Sequence, residues 1–326
     1  MRKEIRWGLL GCGRIAEVFV RASRHCPDSR IVAVGGRDPE RTRTFAAAHG
    51  IDRHGDYARV LADPEVDAVY ICMIHHEHAE WTLRALEAGK AVLCEKPAAL
   101  DEESMRKVVA AAAARNLLFQ EAFMYRFHPQ TAALLALLAE KPVGEIRHVE
   151  ASFGRYSPYN PDSRLFRPDW AGGVIYDVGV YPVSFASLIA GGAEPVTVAG
   201  CRVIRHGVDV HAAAVLGFES GLTAEIACSC DCDLAGNAVI RGTAGTIELP
   251  RPWVMSRGEP EPGLIILRRD GKEERREIAS EYNSFSCEQL AFAEGWRRGQ
   301  TRLELPAVTP PESCAVIRAV KRWHDC

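Results

Sequence analysis

Between Ile5 and about Glu121, short apolar runs alternate with stretches whose apolar positions recur at helical spacing. This βαβα alternation predicts a doubly wound sheet of buried parallel strands. The expected strands are Ile5–Leu10, Arg30–Gly35, Asp67–Met73, Val92–Cys94 and Leu117–Gln120. Helices are expected from the turn at Gly11 to about His25, from the loop after Met73 through Glu87, and onward from Asp101, a good N-cap residue.

Past Ala122 the pattern changes. His128–Glu140 reads as a helix with Leu134, Leu135, Leu137 and Leu138 on its apolar positions. Strand-like stretches follow at Ile146–Phe153, Val196–Ile204, Val210–Phe218, Gly221–Cys230 and Ala238–Ile247, with turns marked by Gly207, Gly221, Gly245 and Gly271. Tight turns predict an open, mainly antiparallel sheet, with the helical stretch Gly172–Gly191 on one face. Asn283–Arg298 and Glu312–His324 read as terminal helices, the last entered through Pro310 and Pro311. The fold expected is therefore α/β: a Rossmann-type domain over 1–122, then an α+β domain over 123–326. No flexible linker separates them, which predicts rigid association with a cleft between.

Composition narrows the function. With 326 residues, 25% charged and a net charge of −3, the chain offers no electrostatic case for nucleic acid or membrane partners. No apolar run approaches the roughly 20 residues that span a bilayer. The amino terminus enters a strand almost at once, so no signal peptide is expected and a cytoplasmic location is. Eleven cysteines without framework spacing fit reduced thiols. Cys228, Cys230 and Cys232 alternate at strand period and are expected on one face, as packing residues rather than zinc ligands.

The chemistry begins at Gly11-Cys12-Gly13-Arg14-Ile15-Ala16, between the first strand and first helix. Gly11 permits a tight turn, Gly13 lets a pyrophosphate reach the backbone, and Ala16 allows close helix–strand packing. The tip of the second strand, where NAD-selective domains place an acid, holds Gly36 followed by Arg37. An arginine there suits a 2′-phosphate, so NADP(H) is expected, with NAD(H) possible as the second cofactor. Arg37 is the expected principal contact and Arg41 its support. In the competing reading Asp38 reaches the ribose and Arg37 points into solvent. His75, His76 and His78 lie on a strand-to-helix loop without a matching ligand set, so a cofactor-lining loop is expected and no metal. Val92-Leu93-Cys94-Glu95-Lys96-Pro97 places Glu95 and Lys96 at the carboxyl end of a central strand, where open α/β sheets bind ligands.

These blocks, with Glu121–Pro129 and Gly172–Pro182, resemble in order the glucose–fructose oxidoreductase/inositol dehydrogenase (Gfo/Idh/MocA) family. Much of that family carries Asp and His four residues apart; here Asp177 is followed four residues later by Tyr181. The Asp/Tyr version is similar to dihydrodiol dehydrogenases, NADP-dependent xylose dehydrogenases and sugar-nucleotide 3-ketoreductases. The four-residue spacing puts both side chains on one face of a helix. The resemblance implies a hydride-transferring oxidoreductase acting on a sugar, sugar derivative or cyclic diol. It groups Lys96, Asp177 and Tyr181 about the reacting carbon, with Gly11, Gly13, Arg14, Ile15, Arg37, Arg41, His75, His78, Glu95 and Lys96 at the cofactor. Tyr181 is the expected acid/base tuned by Lys96, or Lys96 relays the proton itself. Arg126, Tyr156, Tyr159, Arg164 and Trp253 are candidates for lining the substrate pocket. The family also implies a cis Lys96–Pro97 bond and a homodimer or homotetramer formed through the second-domain sheet. It includes a dinucleotide-binding repressor and NAD-dependent glycosidases, the alternative functions. Two local departures are Met73-Ile74-His75, in place of a Thr-Pro-Asn-like turn, and Trp170-Ala171-Gly172-Gly173, in place of Leu-Gly-Gly-Gly.

Overall fold

The computed structural model describes residues 4–253 and 258–326. The first domain runs β1 (Ile5–Leu10), α1 (Arg14–Ser23), β2 (Ser29–Gly35), α2 (Pro39–His49), β3 (Arg53–Gly55), α3 (Tyr57–Ala62), β4 (Ala68–Ile71), α4 (His78–Glu87), β5 (Ala91–Glu95), α5 (Glu102–Arg115) and β6 (Phe119–Ala122). Its strands are parallel in the order β3-β2-β1-β4-β5-β6. The order reverses beside β1, which opens a crevice at the carboxyl ends of β1, β4 and β5. The helix starts follow side-chain chemistry: Asp38, Asp56 and Asp101 each accept a first-turn N–H, and Asn116 ends α5 in the left-handed region. Sequence pattern passes over β3 and α3 because β3 is a three-residue polar edge strand.

The second domain continues α6 (Pro129–Ala139), β7 (Ile146–Gly154), α7 (Val180–Ile189), β8 (Thr197–Arg205), β9 (Val208–Gly217), β10 (Thr223–Ser229), β11 (Ala238–Gly242), β12 (Gly245–Leu249), β13 (Gly263–Arg269), β14 (Lys272–Ile278), α8 (Ser284–Arg297) and α9 (Pro310–His324). Its sheet has the order β14-β13-β12-β11-β7-β10-β9-β8, antiparallel except where β7 lies beside β10. Ala238–Ile247, expected as one strand, is a hairpin turning at Thr243-Ala244. Glycines allow it, since a Cβ on Gly242 would lie 2.1 Å from the Val143 carbonyl oxygen. The edge strand β14 reads Lys-Glu-Glu-Arg-Arg-Glu-Ile and gives no apolar signal, as edge strands often do not. Only Cys228 and Cys230 of the alternating cysteines are buried; Cys232 lies beyond β10 and is exposed, and all eleven thiols are free.

Two expectations change at the level of packing. The stretch Pro168–Ile189 is in fact long and apolar enough to cross a bilayer by composition, but 78% of its most apolar window is buried in the fold. The chain also returns to the first domain: Gln289 donates to the Phe19 carbonyl at 2.9 Å, Ser286 to the Ala22 carbonyl at 2.9 Å, and Phe292 packs against Trp7. Residues of α8 thus complete the core over β1, which a division at residue 122 leaves open.

Candidate active site

The turn after β1 has the geometry a dinucleotide pyrophosphate needs. Gly11 sits at φ 129°, where a Cβ would press on the Cys72 backbone at 3.0 Å. Gly13 is the N-cap of α1 and supplies no side-chain cap, and the space over its Cα is open for 4 Å. The first N–H groups of α1 therefore face that space, a ready anion site. Arg14 is exposed and Ile15 half-buried beside it.

At the tip of β2 the position for an acid is sterically closed. A Cβ on Gly36 would lie 2.2 Å from Thr42 Oγ1, and Thr42 is wholly buried and donates to the Asp38 carbonyl at 2.7 Å. Asp38 is engaged as the cap of α2, accepting the Arg41 N–H at 3.0 Å, which works against the reading that sends it to a ribose. Both arginines are exposed: Arg37 lies 3.7 Å from Glu77, and Arg41 reaches the Cys12 carbonyl at 3.4 Å.

The carboxyl end of β5 is built by polar contacts on both sides. The Tyr70 hydroxyl donates to Glu95. The His78 ring sits between the carbonyls of Pro97 and Met73 at 2.8 and 3.1 Å, joining the β4 and β5 loops. Burial lowers its pKa to about 4, against the raising effect of both carbonyls. His75 Nε2 lies 3.1 Å from Arg164 Nη1 and accepts from it; burial first, then the Arg164 and Lys96 cations, keep this imidazole neutral. His75 thus accepts as a neutral imidazole, while neutral His78 donates to one of its two carbonyls and only packs against the other. Among the described residues no group of three His, Cys, Asp or Glu side chains is placed to hold a metal. The Lys96–Pro97 bond is cis, as the resemblance implied.

Lys96 projects from β5 to the second domain. Its Nζ donates to the Asp177 carbonyl at 2.6 Å, lies 3.5 Å from Asp177 Oδ1, and sits 5.1 Å from the Tyr181 ring centroid. Asp177 and Tyr181 both face Lys96, but the segment that carries them is not α-helical throughout. Residues Ile175–Gly179 form a wide π turn, and α7 begins only at Val180. The wide turn presents Asp177 by both its carbonyl and its carboxylate. Burial lowers the Lys96 pKa, against the raising effect of Asp177 and Glu95. Burial pushes the Asp177 carboxyl up, but the Arg164 and Lys96 cations hold it well below the usual carboxylate range. Arg164 completes the group with a 2.7 Å contact to Asp177 Oδ1.

Three supporting residues escape sequence reasoning. The Tyr181 hydroxyl donates to Met124 Sδ at 3.4 Å. Asp209 accepts the Ile175 N–H at 2.7 Å and lies against Gly173, fixing the start of the wide turn; an acid inside the apolar run Val208–Ala214 was its signal. Glu121 accepts the Ala98 N–H at 3.0 Å and the Ser313 hydroxyl at 2.6 Å, tying the Lys96 loop to α9. Burial raises its pKa from 4.5 to about 7, with those two hydrogen bonds opposing. The folded chain holds this proton more tightly than the unfolded one. The stability it contributes is complete below about pH 4.5 and is lost as pH rises through about 7. The denaturation midpoint of wild type is expected to fall relative to Glu121→Gln across that interval; midpoints that stay parallel contradict it.

Four expected pocket residues lie elsewhere. Arg126 is 0% exposed and bonds Glu312 at 2.7 Å, the Ser184 carbonyl at 2.6 Å and the Tyr125 hydroxyl at 2.8 Å, so it is an internal tie. Trp253 is buried with its indole N–H on the Ser152 carbonyl at 2.6 Å, and packs between Tyr125 and Phe185 behind Tyr181. Tyr156 is 59% exposed, its N–H held by Asp233, and Tyr159 stacks on His206 at 3.7 Å, on the β8–β9 hairpin. Of the five, Arg164 alone contacts the Lys96–Asp177 group.

Residues 5–123 match the model of an oxidoreductase family with an NAD-binding Rossmann fold, and residues 131–248 match the GFO/IDH/MocA C-terminal domain. The chain belongs to the Gfo/Idh/MocA oxidoreductase family. Among its relatives is a trans-1,2-dihydrobenzene-1,2-diol dehydrogenase of Sus scrofa, 35% identical over 276 residues, which are 82% of this chain and 79% of that protein. A 3-ketoreductase from Actinomadura kijaniata, solved with NADP and TDP-benzene, is 28% identical with a TM-score of 0.89, covering 99% of this chain and 98% of that one. An aldose-aldose oxidoreductase from Caulobacter crescentus shares the fold at TM-score 0.89 and 22% identity, over 99% and 97% of the two chains. As a Gfo/Idh/MocA member the protein is an NAD(P)-binding oxidoreductase.

Proposed function

We propose that this oxidoreductase is an NADP(H)-dependent dehydrogenase/reductase of a hydroxyl or carbonyl carbon in a sugar, sugar derivative or cyclic diol. The observation that carries this reading is the meeting of Lys96 with Asp177 and Tyr181 at the carboxyl end of β5. NADP, when bound, takes up or supplies the hydride. The protein's part is proton handling and orientation. Oxidising a carbinol releases a hydroxyl proton, which Tyr181 takes as general base and returns in the reverse direction. Its present acceptor, the Met124 thioether, is weak and gives way to a substrate oxygen. The Lys96 ammonium favours the phenolate and polarises the same oxygen. Asp177, held ionised, keeps Lys96 in place and with Arg164 orients the substrate's neighbouring hydroxyl.

The names of the relatives support both substrate types, a diol and a nucleotide-linked sugar. The eleven free thiols support a reducing, cytoplasmic compartment. The uncovered sheet face, with Val203 and Val215 exposed beside a depression of about 650 Å³ around Cys201 and Ala227, supports a homodimer or homotetramer. A screen of aldoses, cyclitols and dihydrodiols against both cofactors tests the activity by nicotinamide absorbance. Reduction of NADP⁺ by one substrate class is expected. Binding of NADP⁺ with no reduction by any of them points to a non-catalytic binder instead.

Cofactor choice has its own test. Arg37→Ala is expected to weaken NADP⁺ binding roughly tenfold or more, the scale of a charge-assisted hydrogen bond, with NAD⁺ binding nearly unchanged. An unchanged preference refutes the assignment.

A further inference from the structure

The segment 164–173 belongs to the second domain but lies across the opening of the first. It is held rigid by its own backbone. Gly172 N–H bonds the Arg167 carbonyl at 3.0 Å and Gly173 N–H the Leu165 carbonyl at 2.8 Å. A Cβ on Gly172 would meet the carbonyl oxygens of Leu165, Arg164 and Arg167 at 2.7–2.8 Å, so the turn closes this tightly only with glycine. The strap touches the first domain at both ends. At one end Arg164 meets His75 and Asp177 beside Lys96. At the other, the Trp170 ring lies 6.0 Å from the Arg37 guanidinium carbon.

The environment of Trp170 is arranged for a cation. Arg167 lies over the ring at 4.4 Å, but its charge is met by a two-pronged contact with Asp169 at 2.8 and 3.0 Å. Arg37 has the longer contact to Glu77, at 3.7 Å, and remains more than half exposed. A guanidinium over an aromatic face loses rotational freedom while keeping its N–H edge for an anion. Trp170 stands where the resembled family more usually has leucine.

We propose that Trp170 is a positioning residue for the dinucleotide's 2′-phosphate: from the second domain, its ring orients the Arg37 guanidinium and so strengthens selection of NADP over NAD. The inference rests on the proposed role of Arg37 and adds the residue through which that role is sharpened. Because Trp170 acts through Arg37, its removal weakens binding of the phosphorylated dinucleotide alone. A merely structural loss would weaken NADP⁺ and NAD⁺ alike.

The test is calorimetric binding of NADP⁺ and of NAD⁺ to wild type, Trp170→Leu, Trp170→Phe, Arg37→Ala and the Arg37→Ala/Trp170→Leu double variant. Trp170→Leu is expected to raise the NADP⁺ Kd roughly threefold to fivefold, the scale of an exposed cation–π contact, with the NAD⁺ Kd unchanged. Trp170→Phe, which keeps a ring face, is expected to fall between wild type and Trp170→Leu. In the Arg37→Ala background, Trp170→Leu is expected to add nothing. An unchanged ratio of the two Kd values in both Trp170 variants overturns the inference, as does an equal loss for the two dinucleotides. If Arg37→Ala itself leaves the ratio unchanged, the cofactor assignment fails instead.

Discussion

Tyr181→Phe is expected to lower kcat by roughly a hundredfold to ten-thousandfold, the range contributed by a positioned acid/base. The substitution removes one oxygen and leaves the ring among Phe123, Phe153 and Tyr125, so NADP⁺ binding and folding stay near wild type. Lys96→Met is expected to be at least as damaging, since it removes the cation 5.1 Å from that ring and leaves Asp177 to Arg164 alone. The pH profile separates the two possible proton carriers. If Tyr181 carries the proton, the residual activity of Tyr181→Phe loses the basic-range ionisation of wild type. If Lys96 relays it, that ionisation persists in Tyr181→Phe and vanishes in Lys96→Met. Turnover that survives both substitutions defeats the catalytic group as a whole.

The second large effect concerns the buried tie within the second domain. Arg126→Met is expected to destabilise the fold by about 3–5 kcal/mol, because it strands the buried Glu312 carboxylate without its cation. Glu312 is 1% exposed, and its second oxygen has no hydrogen-bond partner among the described residues. The cost comes mainly from the uncompensated charge, so the double variant Arg126→Met/Glu312→Leu is expected to recover most of it. Urea midpoints measure both. A single variant as stable as wild type contradicts the buried-pair account, and so does a double variant no better than the single.

The fold was legible where apolar period and turn chemistry agree. Gly11–Ala16, Asp101 and the strand at Val92–Cys94 announce their places because one residue type in each fits the backbone there. The polar edges β3 and β14 were hidden, since an edge strand needs no apolar face. Gly245 marked a turn, but the split of Ala238–Ile247 into a hairpin at Thr243-Ala244 was hidden because apolar residues run on both sides of it. The site shows the same division. Lys96, Asp177, Tyr181 and Arg164 converge, and their residue types match the chemistry. Arg126 and Trp253 were misjudged for one reason: arginine and tryptophan suit a ligand pocket and a buried tie equally, and only the partner decides. For Arg126 that partner is Glu312, 186 positions along the chain. The turn type was hidden as well, because nothing in Ile175–Gly179 signals a π turn in place of an α turn.

The central claim is direct hydride exchange between a substrate carbinol and NADP at the Lys96–Tyr181 site. The most direct measurement uses the best substrate of the screen with deuterium on its reacting carbon, and follows the label by mass spectrometry. The account predicts one deuterium on the reduced nicotinamide per turnover, on a single ring face, with no loss to water. Label appearing in solvent, or turnover of substrate without net reduction of NADP⁺, contradicts it.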